Sequence, residues 1–247
     1  MKQTLLILAH LLRRLYFAIC NVSIVVYRWF TKFWYRTTEF DVLVRTLAKI
    51  NNMPEHLMIV LGSVNDESVL DCVRIIRWCI TLNIRYISFF DYYGFFNKIN
   101  LKEEFARKQP DLIEHIIWYP STKAQLSQNK IIGSKPKINV LLLSDVNSQG
   151  KILTLTQALA EDVSSGNLNP EEITEELITE KLQITEMPDP ELALIYGYVH
   201  STHGVLPWHT RTTEFLMLPM YANVSLSVKD FTCLLERYCK CEQRYGE

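Results

Sequence analysis

The sequence predicts an α/β fold, an open and mostly parallel sheet flanked by helices and preceded by an N-terminal membrane-associated helix. Three observations support this prediction. Apolar, strand-like runs alternate with helical segments from about residue 54 onwards, as in parallel sheets. One run, residues 138–143 (INVLLL), is continuously apolar, like strands buried on both faces. Hydrophobic residues form 48% of the 247-residue chain, enough for the core of one domain with an appendage.

Short apolar segments rich in β-branched and aromatic residues are the predicted strands. They span residues 56–61, 84–90, 115–119, 138–143, 192–195 and 214–218. The alternation of these segments with helices gives the order expected of an open sheet.

Two helices are predicted between the strands, over residues 68–82 and 150–163. The first carries its apolar residues on one helical face, at Val69, Val73, Ile76 and Ile80. A further helix start is predicted at Asn169, because Pro170 suits the first helical position and two glutamates follow in the first turn.

The last helix is predicted to begin after Ser227 and to run to about Gln243. Ser227 is a suitable capping residue, with the acid Asp230 three positions later. One face of this helix is apolar, at Phe231, Leu234, Leu235 and Tyr238. We expect that face to pack on the domain.

The first 36 residues predict a membrane anchor or an in-plane interfacial helix, and residues 37–53 a linker to a domain over 54–247. Residues 4–12 and 15–27 are apolar but separated by Arg13 and Arg14. Neither half reaches the roughly 20 residues that span hydrocarbon, whereas together they can, with the arginines extended to the interface. An aromatic belt follows, at Trp29, Phe30, Phe33, Trp34 and Tyr35. A cleaved signal peptide and a buried soluble helix are the alternatives.

Charge and cysteine content exclude some classes of protein. A net charge of −1 gives no electrostatic footprint for nucleic acid. The basic residues that follow the apolar segment outnumber those before it, which favours a cytosolic domain. None of the six cysteines forms a CxxC pair, so reduced thiols are expected rather than a zinc site or a disulfide framework.

The usual catalytic motifs are missing from the sequence. There is no GxGxxG, GxxxxGK[ST], HExxH or GxSxG, and the eight glycines are scattered. His200, His203 and His209 are loosely spaced; we predict a surface loop packed under the C-terminal helix, with a zinc hydrolase as the alternative. Asp91 ends a strand, but its aromatic neighbours indicate a packed surface or an interface.

The C-terminal residues Arg244, Tyr245 and Gly246 allow two interpretations. An arginine just past a helix is usually a solvated charge. Alternatively, the tail reaches another chain, where the arginine fork grips phosphate and the glycine lets backbone approach a diphosphate.

Three C-terminal stretches carry a resemblance to a known family. Residues 189–197 (DPELALIYG), 201–209 (STHGVLPWH) and 241–246 (CEQRYG) closely resemble the Nogo-B receptor family, the accessory subunits of eukaryotic dehydrodolichyl diphosphate synthase. Residues 84–96 (IRYISFFDYYGFF) are similar to its second strand and the following loop. The resemblance covers roughly residues 54–247. It implies the α/β fold of cis-prenyltransferases such as undecaprenyl diphosphate synthase.

The resemblance also implies that this chain does not catalyse alone. When His56 is paired with the strand-start histidine of the catalytic relatives, Gly62 stands where their magnesium-binding aspartate is. Ile195 stands where they carry an arginine. Without these groups a diphosphate leaving group has no electrostatic clamp.

The implied role is that of a non-catalytic subunit of a heteromeric cis-prenyltransferase on the endoplasmic reticulum membrane. The complex makes long polyprenyl diphosphate for dolichol and protein glycosylation, with Mg²⁺ on the catalytic partner and no metal on this chain. Arg244 and Gly246 match the family's Arg-x-Gly tail, which enters the partner's active site, and Tyr245 is its variable position. The substrates are isoprenoid diphosphates, and the anchor contacts membrane lipid. The rival hypothesis is a membrane-bound, receptor-like binding module with no active-site role.

Overall fold

The sheet has six strands, all parallel. The computed structural model describes residues 10–19, 22–23, 26, 39–62, 66–119, 138–183, 187–218 and 226–241. The strands are β1 (His56–Leu61), β2 (Tyr86–Asp91), β3 (Ile116–Tyr119), β4 (Ile138–Ser144), β5 (Leu192–Tyr196) and β6 (Glu214–Met217). Their order across the sheet is β3-β4-β2-β1-β5-β6, and each neighbouring pair is parallel. The predicted open parallel sheet is confirmed.

The described helices flank this sheet. They are α1 (Glu39–Lys49), α2 (Asp66–Leu82), α3 (Leu101–Lys108), α4 (Gln149–Ser164), α5 (Glu175–Leu182) and α6 (Val228–Tyr238). Short 3₁₀ turns span Phe95–Asn97, Pro110–His115, Asp145–Asn147 and Pro170–Glu172. Residues 10–19 are also helical. Within the described residues, no helix is both long and apolar enough to cross a bilayer.

Each face of the sheet buries its own hydrophobic cluster, because side chains alternate along a strand. On one face Leu57, Ile59 and Leu61 of β1 pack with α2, α3 and α6. On the other face Met58 and Val60 pack with residues of β4 and β5 and with the loop after β5. All six residues of β1 are buried, as a central parallel strand requires.

The segment predicted as a linker contains helix α1, which belongs to the domain. Leu43 and Thr46 of this helix are buried. Glu39 pairs with Arg74 of α2 at 2.7 Å and with Arg77 of the same helix. Within the described chain, the packed domain therefore includes Glu39 and the rest of α1. The prediction had placed these residues in a linker over 37–53.

Two predicted helix limits also differ. The turn at Asn169 is a 3₁₀ turn, in which the Asn169 N–H donates to the Glu172 carboxylate at 2.8 Å. The following helix α5 begins at Glu175, with Thr174 as its cap. The last helix does start after Ser227, whose hydroxyl accepts from Lys229 N–H at 3.2 Å. It ends at Tyr238 rather than near Gln243, and its predicted apolar face does pack on the core.

Candidate functional site

The carboxyl ends of the central strands form the end of the sheet where open α/β folds bind ligands. The register brings Leu61, Asp91, Ser144 and Tyr196 into one row across β1, β2, β4 and β5. Gly62 follows directly after β1, and its N–H donates to the Tyr196 carbonyl at 2.8 Å. Gly62 therefore occupies the strand end at which the resemblance places a catalytic aspartate.

The imidazole of His203 fills the space beside Gly62. A Cβ atom built on Gly62 would lie 2.8 Å from His203 Nε2, closer than side chains tolerate. The His203 ring stacks on Tyr92 with centroids 5.2 Å apart and meets Tyr93 edge-on at 5.7 Å. Any side chain at position 62 would have to displace this ring.

A tight loop after β5 holds His203 in this position. The backbone has positive φ at His203 (50°), Gly204 (67°) and Leu206 (34°). Ser148, at the start of α4, fixes the loop, since its hydroxyl donates to the Gly204 carbonyl and accepts from Leu206 N–H, both at 2.7 Å. The positive φ favours glycine at position 204, where a Cβ atom would also overlap the side-chain amide of Gln149.

Asp91 lies in the same row and is buried, with 4% of its surface exposed. One carboxylate oxygen accepts from Phe96 N–H at 2.7 Å. The other has no hydrogen-bond partner among the described residues. Phe95 and Phe96 pack against the core, whereas Tyr92 and Tyr93 are exposed. The predicted packed aromatic surface thus divides into a buried half and an exposed half.

Position 195, where the catalytic relatives are expected to carry an arginine, holds a fully buried isoleucine. Ile195 belongs to the cluster on the face with Met58 and Val60. The next residue, Tyr196, turns to the opposite face, where its hydroxyl donates to Asp71 at 2.9 Å. Burial, followed by the nearby Asp71 charge, raises the pKa of Tyr196, which is therefore a neutral donor.

Among the described residues, the groups that contact one another at this strand end include one carboxylate, Asp91, and no cation that could bind a diphosphate. Gly62 offers no carboxylate, and a carboxylate introduced there would meet His203. In the described chain, the contacts that join Gly62, Tyr92, Asp91 and His203 involve rings, a carboxylate and backbone groups, with no lysine or arginine. Within the described part of the chain, this arrangement packs the strand ends together and places no basic side chain among those contacts.

The three loop histidines are separated rather than gathered around one point. His203 faces Gly62, His200 is exposed, and His209 lies near Asp189. Burial lowers the pKa of His209, and the charge of Asp189 partly offsets this effect. No group of three potential ligands that could hold a metal occurs in the described chain. The loop also does not pack under α6 as predicted, since Val205 and Leu206 join the cluster on the opposite face.

A cavity of about 310 Å³ lies on that face, towards the amino ends of the strands. It is lined by His56, Ser88, Leu141, Thr179, Gln183, Met187, Pro188, Asp189, Pro190, Leu206 and His209. His56 Nδ1 donates to the Pro188 carbonyl at 2.6 Å, so its Nε2 accepts from Ser88 at 2.7 Å. Burial lowers the pKa of His56 to about 4. A neutral histidine with both nitrogens engaged here holds β1, β2 and the segment before β5 together.

The predicted site residues Arg244, Tyr245 and Gly246 lie outside the described residues. The description ends at Cys241, just beyond α6. Helix α6 is fixed to the domain near its far end, where Cys239 Sγ donates to the Asn52 carbonyl at 2.7 Å and Glu236 lies 4.0 Å from Lys49.

The sequence analysis did not identify Asp71, and it did not predict that His203 lies beside Gly62. Asp71 had a signal, since it is an acid between Leu70 and Cys72 within a largely apolar helix. His203 had none, because only the folded loop brings it to β1.

Comparisons with known proteins agree with this geometry. No protein-family model matches the chain. The Homo sapiens dehydrodolichyl diphosphate synthase complex subunit NUS1 is 30% identical over 204 residues, covering 80% of this chain and 68% of that protein. A probable undecaprenyl diphosphate synthase from Campylobacter jejuni shares the fold, with a TM-score of 0.53 at 18% identity, covering 79% of this chain and 100% of that one.

A second solved structure has the same fold. Lavandulyl diphosphate synthase from Lavandula x intermedia matches with a TM-score of 0.56 at 18% identity, over 79% of this chain and 99% of that one. The cis-prenyltransferase-like sheet and the relationship to the human subunit lead to one assignment. The chain belongs to the NUS1 family of dehydrodolichyl diphosphate synthase complex subunits, the Nogo-B receptor family.

Proposed function

We propose that this chain is the non-catalytic subunit of a heteromeric cis-prenyltransferase, and that its C-terminal tail completes the partner's active site. The observation that carries the first half is the strand end at Gly62. Gly62 itself supplies no carboxylate, and the His203 ring lies in the space that an aspartate side chain at this position would need. A protein of this fold without that group depends on another chain for magnesium and for the allylic diphosphate.

In the proposed reaction the partner binds Mg²⁺ and both isoprenoid diphosphates. A carbon–carbon bond forms to the isopentenyl unit, the allylic C–O bond breaks, diphosphate leaves, and the isopentenyl unit loses a proton. Arg244 contributes a two-pronged donor to the departing diphosphate. Gly246 lets backbone N–H groups approach the same oxygens. Tyr245 lies between them in the tail.

The N-terminal segment supports a membrane location for the complex, with the domain in the cytosol at the endoplasmic reticulum. The helical residues 10–19 expose apolar side chains, among them Leu11, Leu15 and Phe17. The Arg13 guanidinium lies 5.7 Å from the Phe17 ring, so this arginine has an apolar neighbour on the helix surface. A long polyprenyl product gains roughly 0.8 kcal/mol for each CH₂ that moves from water into lipid, so synthesis at the bilayer suits it.

Arg244→Ala in the purified complex tests the tail. We expect complex formation to be unchanged and turnover to fall by about 100- to 1,000-fold, as when one preorganised donor to a developing charge is removed. Arg244→Lys should restore activity only in part, because a point charge lacks the fork. Arg237→Ala is the matched control, since Arg237 is an exposed arginine on α6.

The competing function is a membrane-bound, receptor-like binding module. It shares the fold and the altered strand end but has no use for Arg244 in prenyl transfer. Wild-type kinetics in Arg244→Ala, with an intact complex, would favour the binding module and reject the tail's catalytic role.

A further inference from the structure

A buried carboxylate lies where helix α2, strand β5 and the residue leading into α6 meet. Asp71 has 1% of its surface exposed. Its Oδ2 accepts from Tyr196 O–H at 2.9 Å and from Leu226 N–H at 2.8 Å, and Arg74 lies 3.3 Å from Oδ1. A buried charge is costly unless it is satisfied in this way. The three donors come from three different parts of the chain.

This carboxylate holds the beginning of the C-terminal helix. Leu226 comes two residues before Val228, the first residue of α6. A second contact holds the first turn, where the Phe231 ring packs on Trp78 of α2 with centroids 5.2 Å apart. Arg74 stacks on the same Trp78 at 5.1 Å, so the ion pair and the aromatic contact belong to one network.

The hydrogen bonds that Asp71 accepts fix the helix more strictly than apolar packing does, because they are directional. Apolar side chains such as Leu235 would remain buried if α6 slid or tilted slightly. The bond to Leu226 N–H would not survive such a movement. An α-helix is stiff and rises about 1.5 Å per residue, so a tilt at Leu226 is carried along the eleven residues of α6 towards Cys241.

We propose that Asp71, held by Tyr196, is a positioning residue for prenyl transfer, because it sets the direction in which α6 presents the C-terminal tail to the partner. The inference rests on the proposed function of the tail. It adds that the direction of the tail is set at Leu226, well before Arg244, by a carboxylate, Asp71, that touches no substrate. A misplacement of about 1 Å at a reacting centre can cost on the order of 100-fold in rate.

The test is a double-mutant cycle between Tyr196→Phe and Arg244→Ala in the full-length chain, assembled with the catalytic partner. Tyr196→Phe removes one donor to Asp71 and keeps the buried ring. We expect it to lower kcat by about 10-fold or more, with partner affinity unchanged. In the Arg244→Ala background the same change should lower kcat by less than about 2-fold, because there the tail no longer acts.

Two further variants separate positioning from stability. Asp71→Asn removes the charge at nearly constant volume and should behave as Tyr196→Phe does. Leu143→Ala, in the cluster on the opposite face, is the stability control and should leave kcat unchanged at a temperature where the domain is folded.

The possible outcomes distinguish the inference from the function on which it rests. If Tyr196→Phe lowers kcat equally in both backgrounds, or not at all, the positioning role is rejected while the tail's role stands. If Arg244→Ala alone leaves kcat unchanged, the tail's role is rejected, and the positioning role with it.

Discussion

At the scale of single residues, His56 shows how burial converts a titratable group into a structural one. The residue is 3% exposed, and its ring bridges Pro188 and Ser88. Its pKa is about 4 in the folded protein, against 6.5 for an ordinary histidine, because burial disfavours the charged ring. The unfolded chain therefore binds a proton at a pH where the folded chain does not.

This difference predicts that the protein loses stability as the pH falls from about 6.5 to about 4. Across that window the unfolded state holds more protons, so the free energy of unfolding decreases with falling pH, by about 3 kcal/mol from His56 at most. Urea unfolding at several pH values measures it. His56→Gln should be less stable at neutral pH and should have a flatter pH profile. Parallel profiles for the two proteins would contradict this origin.

Gly62 gives a second prediction at this scale. Gly62→Asp should destabilise the domain by about 1–3 kcal/mol, because the new side chain overlaps His203. His203→Gly removes the ring and suits the positive φ at that position, so the double variant should recover most of the loss. Chemical denaturation of the four proteins gives the coupling between the two positions.

Neither variant should make prenyl transfer possible for the chain alone, since Ile195 remains buried where a cation would be needed. Additive losses of stability would show that His203 does not block position 62. Magnesium-dependent product formation by the isolated Gly62→Asp chain would refute the view that more than one group is missing.

At the scale of elements, α1 decides where the domain begins. Deleting residues 1–36 should leave a folded domain that still binds its partner. Deleting residues 1–53 also removes α1. This exposes the part of the core on which Leu43 packs, and it leaves Arg74 and Arg77 without their partner Glu39. We expect that longer deletion to cost about 3 kcal/mol or more in the free energy of unfolding. Equal urea midpoints for the two truncated proteins would show that α1 is only a linker.

The edge strand β6 gives a prediction about assembly. Leu216 is 2% exposed in the core shared with α6, whereas Met217 is half-buried on the outermost strand. Leu216→Asp should unfold the domain, because it buries an unpaired charge. Met217→Asp should leave the domain folded and should weaken heteromer formation by about 10-fold if its side chain faces the partner. Circular dichroism and co-purification separate the two effects, and unchanged assembly would remove β6 from the interface.

Much of the element pattern could be predicted, because strands in a parallel sheet are apolar on both faces and contrast with their surroundings. The prediction covered all of β1 and residues 86–90 of β2, which lacks only Asp91. Helix α1 was missed because it is short and follows a long apolar, basic stretch that dominates the local pattern. The start of α5 was misplaced because Asn169 and Glu172 satisfy a capping pattern that closes only a 3₁₀ turn.

At the scale of the whole molecule, the site was less predictable than the fold. Position 62 could be identified from a resemblance, but its neighbour His203 comes from a loop about 140 residues later in the chain. Likewise, Asp71 meets Leu226 across 155 positions. Such pairs are created by topology, and local patterns carry no information about them. The predicted placement of the histidine loop was wrong for the same reason, since the face on which a loop packs depends on strand order.

Helices α1 and α6 pack side by side, and this pairing separates the two points at which the chain enters and leaves them. Glu39 lies at the Arg74–Asp71 end of the pair, near Leu226, and Lys49 and Asn52 lie beside Glu236 and Cys239. The two helices therefore run in the same direction, so the chain enters the domain at one end of the pair and leaves at the other. Eleven residues at 1.5 Å each separate these ends by about 16 Å. The point at which the chain enters α1 and the point at which it leaves α6 are thus held apart by the length of one helix.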